Sequence, residues 1–359
     1  MKPTEKLHEI GQSLWLDNIT RTMLADGTLR GYIEELSVTG LTSNPTIFDK
    51  AISGGDAYDQ HIIELSQNGH EPEEVFFELA IVDLRDATDL FRGVHERTAG
   101  LDGFCSLEVS PKLADDTGAT IEQAAQLHSK ADRDNLYVKI PGTPSGLPAI
   151  EESIFAGIPI NVTLLFSRED HLAAADAYMK GIERRIEAGL DPDVPSVASI
   201  FMSRWDVAVA GDVPDELHNR LGLAIGFRAY RAYREMLDSQ RVQRLMNEGA
   251  RPQRLLWAST GTKDPDASDT LYIEGFASPF TVNTMPEPTL HAFADHGEVG
   301  DLIPPDGGDC EEVLAEFAKA GIDVDALAER LQREGKEAFV KSWNDMLESI
   351  ESKRGALTG

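Results

Sequence analysis

NLYVKIPGT, residues 135–143, reads as a short buried strand with a lysine through its middle. Leu136, Tyr137, Val138 and Ile140 suit a pleated, covered surface. An ammonium loses hydration when buried, and lysine is among the residues least often found inside. Either the amine of Lys139 lies on the polar side of a half-buried strand and reaches water along its stem, or it is kept inside as a nucleophile, since burial favours the neutral amine. What surrounds the stretch decides between the two.

Working outward, similar apolar segments recur, most of them ending in small or polar residues. They are SLWLDNI (13–19), VTGLTSNP (38–45), FCSLEVSP (104–111), IPINVTLLFS (158–167), SVASIFMSRWD (196–206), RLLWAST (254–260) and PFTVNTMPE (279–287), which with LYVKIPGT (136–143) make eight strand candidates. Helical periodicity fills most gaps. The segment 167–189 opens on a capping serine, Ser167, with acids in its first turn, and ends at Gly189. The segment 214–249 has a proline start, a glycine end and room for two helices. Residues 121–131 and 146–157 supply two more. Alternating strands and helices predict a parallel sheet, and eight such strands predict a closed (β/α)8 TIM barrel. An open doubly wound sheet competes, but no GxGxxG turn follows any strand.

Two stretches exceed the minimum for a barrel: a helical insertion over about 50–99, and two or three closing helices over about 311–350. Either a covering helix or a subunit contact, as in a homodimer, fits them. With no linker, repeat or low-complexity tract, residues 1–359 are expected to form a single barrel domain, its tail 352–359 frayed.

The balance of 33 basic and 62 acidic residues, a net charge of −29 spread along the chain, argues against nucleic acid or an anionic membrane as partner. No run approaches a membrane span, and MKPTEKLHEIGQS lacks the apolar core of a signal peptide. Cys105 and Cys310 are the only cysteines, which points to a reducing compartment and a cytoplasmic protein.

Barrel enzymes place their chemistry at the C-terminal ends of the strands. Those ends carry Asp17, Asn44, Glu108, Lys139, Asn161 with Thr163, Ser199 with Arg204, and Ser259. Each has a plainer use. Asp17 suits a helix cap, Asn44 before Pro45 a turn, Glu108 a partner for a buried cation, Thr163 a β-former and Arg204 a surface ion pair. The histidines form no ligand set, since the spacing of His291 and His296 fits no zinc pattern, and neither a GxSxG elbow nor a Walker loop occurs. Taken together, the strand ends describe amine chemistry without metal or cofactor. A neutral lysine attacks a carbonyl, one acid shuttles protons as water leaves, and a separate base acts at the bond being broken.

At these residues the chain resembles the transaldolases of the pentose phosphate pathway, in their longer bacterial form. The matching blocks are SLWLDNI, GLTSNPTIF, SLEVSP, NLYVKIPGT, GLPAIEE, INVTLLFS, ASIFMSRWD, LLWASTGTKDP and TVNTMPE, in order from residue 13 to residue 287. The resemblance implies a class I, Schiff-base enzyme that moves a dihydroxyacetone unit. The donors would be fructose 6-phosphate or sedoheptulose 7-phosphate, and the acceptors erythrose 4-phosphate or glyceraldehyde 3-phosphate. It also implies a role for each matching position. Lys139 would form the Schiff base. Asp17 would take the C4 hydroxyl proton, and Glu108 would act through a water whose placing Thr163 assists. Asn44 and Asn161 would hold the dihydroxyacetone hydroxyls, Ser199 would line the pocket, and Arg204 and Ser259 would bind phosphate. The shorter enzymes carry an arginine two residues after that serine; here Gly261 stands there, with Lys263 two further on as the candidate replacement. Two rivals are a Schiff-base aldolase on the same scaffold, which would release free dihydroxyacetone, and a non-catalytic sugar-phosphate-binding barrel. Asp17 and the chain length speak against the first, and the intact Asp17, Glu108 and Lys139 against the second.

Overall fold

A computed structural model describes residues 1–358. The strands are β1 (Ser13–Asp17), β2 (Val38–Thr42), β3 (Cys105–Glu108), β4 (Leu136–Pro141), β5 (Ile160–Leu165), β6 (Ser196–Phe201), β7 (Arg254–Ala258) and β8 (Val282–Met285). All pair in parallel in chain order, and β8 pairs back onto β1 to close the barrel. Each lies inside one of the eight apolar stretches read from the sequence. Strands β4, β5 and β6 are buried at every position, because barrel interior and helical jacket cover both faces.

The connecting helices begin where backbone donors find side-chain acceptors. Ser167 accepts from the Asp170 amide (3.0 Å), and Asp170 reaches back to the Ser167 amide (3.0 Å), starting the helix Arg168–Glu187 with the expected capping box. The segment 214–249 does divide into two helices, Leu221–Leu237 and Gln240–Asn247, the second capped by Ser239. Its proline start, however, heads only a short 3₁₀ turn, Asp215–Leu217. Residues 121–131 belong to a longer helix, Thr117–Ala131, whose cap is Asp116. The 50–99 insertion holds the last turn of Pro45–Ser53, then Asp59–Gln67 and Pro72–Arg97.

At the C-terminus, Cys310–Lys319 is followed by one unbroken helix, Val324–Thr358. This long helix lies across the barrel mouth. Trp343, Met346 and Ile350, on one face, are wholly buried, with the Trp343 ring edge-on to Phe76 (4.9 Å). Ser349 donates to Asp49 (2.6 Å), and Thr46 donates to Ser342 (3.0 Å). The tail expected to fray is helical through Thr358, and Lys353 holds it by bonding Asp59 and the Gly55 carbonyl. Gly359 lies outside the described residues. Among those described, no helix is long and apolar enough to cross a membrane.

Candidate active site

Parallel register places Glu108 beside Lys139, and Lys139 beside Asn161, on three neighbouring strands. Side chains alternate along a strand, so Lys139 faces inward while Val138 and Ile140 pack outward. The amine is buried, with 6% of the residue exposed, and it donates to Glu108 and to the Ser43 carbonyl (3.1 Å). Lys139 thus lies inside the barrel and does not reach water along its stem.

Burial pushes the Glu108 carboxyl above its usual range, partly offset by the charge and hydrogen bond of Lys139. Asp17, at the open end of β1, is raised for the same reason, again opposed by the Lys139 charge and by the Thr42 hydroxyl that donates to it (2.8 Å). Two carboxyls with weakened acidity thus share one amine.

A cavity of about 610 Å³ opens above them at the C-terminal ends of the strands. Asp17, Asn44, Lys139, Thr163, Ser199, Arg204, Ser259 and Lys263 all line it. Asn44, read as a turn residue or a substrate ligand, is found at a helix start. It caps the helix Pro45–Ser53 by accepting from the Ile47 amide (3.1 Å), and it faces the cavity, where its amide stabilises the Asp17 charge. Glu108 and Asn161 stand behind the cavity wall. Glu108 borders a side cavity of about one water's size, shared with Lys139, Thr163 and Phe339. Among the described residues the buried Thr163 hydroxyl has no hydrogen-bond partner. Asn161 is wholly buried, donating to Ser106 (3.1 Å) and accepting from Ser199 (2.6 Å). It therefore orients Ser199.

On the β6–β7 side, the Arg204 guanidinium lies over the Phe201 ring (5.1 Å), and Ser259, in a left-handed backbone conformation (φ 55°), shares a hydrogen bond with Ser203 (2.9 Å). Lys263 stands exposed at the mouth. Among the described residues neither cation has an ion-pair partner.

The structure adds residues the sequence reading did not reach. Lys50 lines the cavity one turn from Ile47, a spacing that helical periodicity from the Asn44 cap could have flagged. Glu287, at the end of PFTVNTMPE, lines it too and is held by Asn18 (2.9 Å) and Tyr32 (2.5 Å). Phe339 and Ser342 come from the C-terminal helix, where no local pattern marks them.

Fold and site together define a class: a (β/α)8 barrel of the class I aldolase kind, with a buried amine and separate carboxyls at its mouth. Comparison with known proteins narrows this. A sequence profile described as transaldolase/fructose-6-phosphate aldolase matches residues 14–350, and the chain belongs to that family. It is 43% identical to a transaldolase of Parafrankia sp. (strain EAN1pec) over 364 residues, covering 99% of each chain. It is 42% identical to one of Thermobifida fusca (strain YX), again with 99% of each covered. A transaldolase of Mycolicibacterium smegmatis shares 43% identity over 359 residues, 98% of this chain and 97% of that one.

Proposed function

We propose that this enzyme is a transaldolase whose reaction runs through Lys139. It moves a dihydroxyacetone unit between sugar phosphates, from a ketose phosphate such as fructose 6-phosphate or sedoheptulose 7-phosphate to glyceraldehyde 3-phosphate or erythrose 4-phosphate. The observation that carries the reading is the buried Lys139–Glu108 pair beside a cavity whose far wall holds a second, separate carboxyl, Asp17.

The amine must be neutral to attack the ketose C2 carbonyl, and Glu108, whose acidity burial weakens, is the neighbour that takes its proton. Glu108 then returns a proton, through a water in the side cavity beside Thr163, to the hydroxyl that leaves C2. An immonium ion remains on Lys139. Asp17 removes the C4 hydroxyl proton, the C3–C4 electrons flow into the immonium, and the aldose departs. The enamine stays bound until a second aldehyde accepts the C3 carbanion, Asp17 returns its proton, and water releases the new ketose. Asn44 and Ser199, the latter steadied by Asn161, hold the three-carbon hydroxyls. Arg204, Ser259 and Lys263 meet the phosphate, for which two cations without an ion-pair partner among the described residues are suited.

The insertion and the C-terminal helix belong to the same barrel unit, since both contribute cavity residues. A cytoplasmic location accords with two free, buried cysteines. The test is borohydride reduction in the presence of fructose 6-phosphate, followed by peptide mapping. A reduced three-carbon adduct on Lys139 is the expected product. An adduct on another lysine would refute the assignment, and rapid release of dihydroxyacetone without acceptor would make the enzyme an aldolase.

A further inference from the structure

The helix Val324–Thr358 contains two glycines, and they sit in opposite surroundings. Gly355 has open space around it, whereas Gly335 is buried against the barrel mouth. A methyl group at 335 would stand 3.0 Å from Leu164 Cδ2, 3.1 Å from Arg204 Nη1 and 3.6 Å from Phe166 Cε2. The first two separations are shorter than ordinary van der Waals contact, so a neighbour would have to move.

Leu164 is the worse candidate to yield. It is buried, its backbone is left-handed (φ 61°), and its carbonyl accepts from Gln332 Nε2 (3.1 Å) one turn earlier on the same helix. The Arg204 guanidinium is the softer group. It lies over the Phe201 ring, and no described residue offers it a hydrogen bond or ion pair. Phe339 and Ser342, further along the same helix, line the cavity, so the depth at which the helix seats shapes that wall.

We propose that Gly335 is a positioning residue for phosphate binding: its missing side chain lets the C-terminal helix seat on Leu164 and holds the Arg204 guanidinium at the cavity wall. The inference rests on Arg204 as a phosphate ligand, as read above. Glycine weakens a helix interior relative to alanine, so a stability role alone would favour alanine here.

The experiment compares wild type with Gly335→Ala in the full-length protein, using glycerol 3-phosphate as a calorimetric probe because it carries a phosphate and no carbonyl. The dissociation constant is expected to rise about fivefold, as when a charge-assisted contact is loosened rather than removed. KM should rise more for fructose 6-phosphate than for unphosphorylated fructose, with thermal stability kept or improved. In an Arg204→Ala background the Gly335→Ala effect should vanish, since the two act through one contact. Unchanged probe binding, equal losses with both sugars, or a loss that persists without Arg204 would each overturn the proposal. Should wild type trap no adduct, the transaldolase reading fails instead. The probe, which needs no carbonyl chemistry, still decides the role of Gly335.

Discussion

The two ends of this barrel are built from the same kinds of group and arranged to opposite effect. At the N-terminal end, Arg254, the first residue of β7, donates to Ser13 Oγ (2.6 Å) and to the carbonyls of Thr281 (2.8 Å) and Leu101 (3.1 Å). Ser13 passes the interaction on to Asp102, which also accepts from Trp15 Nε1 (2.8 Å) and the Gly103 amide (3.0 Å). Cation, hydroxyl and acid are all buried and bonded to one another or to backbone, with only Arg254 Nε among their atoms lacking a partner among the described residues. At the C-terminal end the inventory is again cation, hydroxyl and acid: Lys139, Thr163, Glu108 and Asp17. There, among the described residues, the Thr163 hydroxyl has no hydrogen-bond partner and Arg204 no counter-ion, and the carboxyls are held above their usual range. A nearly closed network returns its desolvation cost as rigidity; a more open one keeps that cost available to a substrate.

Substitutions at the two ends should therefore separate activity from stability. Lys139→Ala is expected to abolish transfer, by about 10⁴-fold or more, with the fold intact by circular dichroism. Substantial residual turnover would remove the amine from the chemistry. Asp17→Ala should cost about 10³-fold in C3–C4 cleavage while borohydride trapping slows far less. Equal slowing of both steps would contradict its role. At the other end, Arg254→Met leaves Ser13 and Asp102 without their cation and should lower unfolding free energy by about 3 kcal/mol in urea, with the affinity for fructose 6-phosphate kept. A stable but inactive Arg254→Met protein would dissolve the contrast between the ends.

The smallest expected effect carries a sign. The Asp17 pKa is raised in the folded protein, so its ionised form costs stability above that raised value and nothing below the ordinary carboxylate range. Asp17→Asn should thus gain about 0.5–1 kcal/mol at pH 7, a gain that fades as pH falls through the raised value. Melting temperatures at pH 7 and pH 4 measure it. A variant less stable than wild type at both would show that Thr42 and Asn44 fully compensate the burial of Asp17.

Much of this was legible before the structure. Period-two alternation in NLYVKIPGT and INVTLLFS already sets which residues turn inward, and a parallel barrel brings strand ends together whatever the loops do. Hence Asp17, Lys139, Thr163, Ser199, Arg204 and Ser259 meet at one cavity. Ser167 was readable as a cap because capping is a contact within one turn. Asn161 was read at the end of its strand, but its burial behind Ser199 depends on Ser106 of a strand two places away. The network around Arg254 and the seat of the C-terminal helix had no local signature, since Ser342 meets Thr46 across 296 positions. The sequence alone determined the barrel and the gathering of a lysine and separate acids at its strand ends, because periodicity and the alternation of elements along the chain are local properties. Only the tertiary structure decided which polar groups are satisfied and which are left open, because that depends on partners whose nearness the chain acquires by folding.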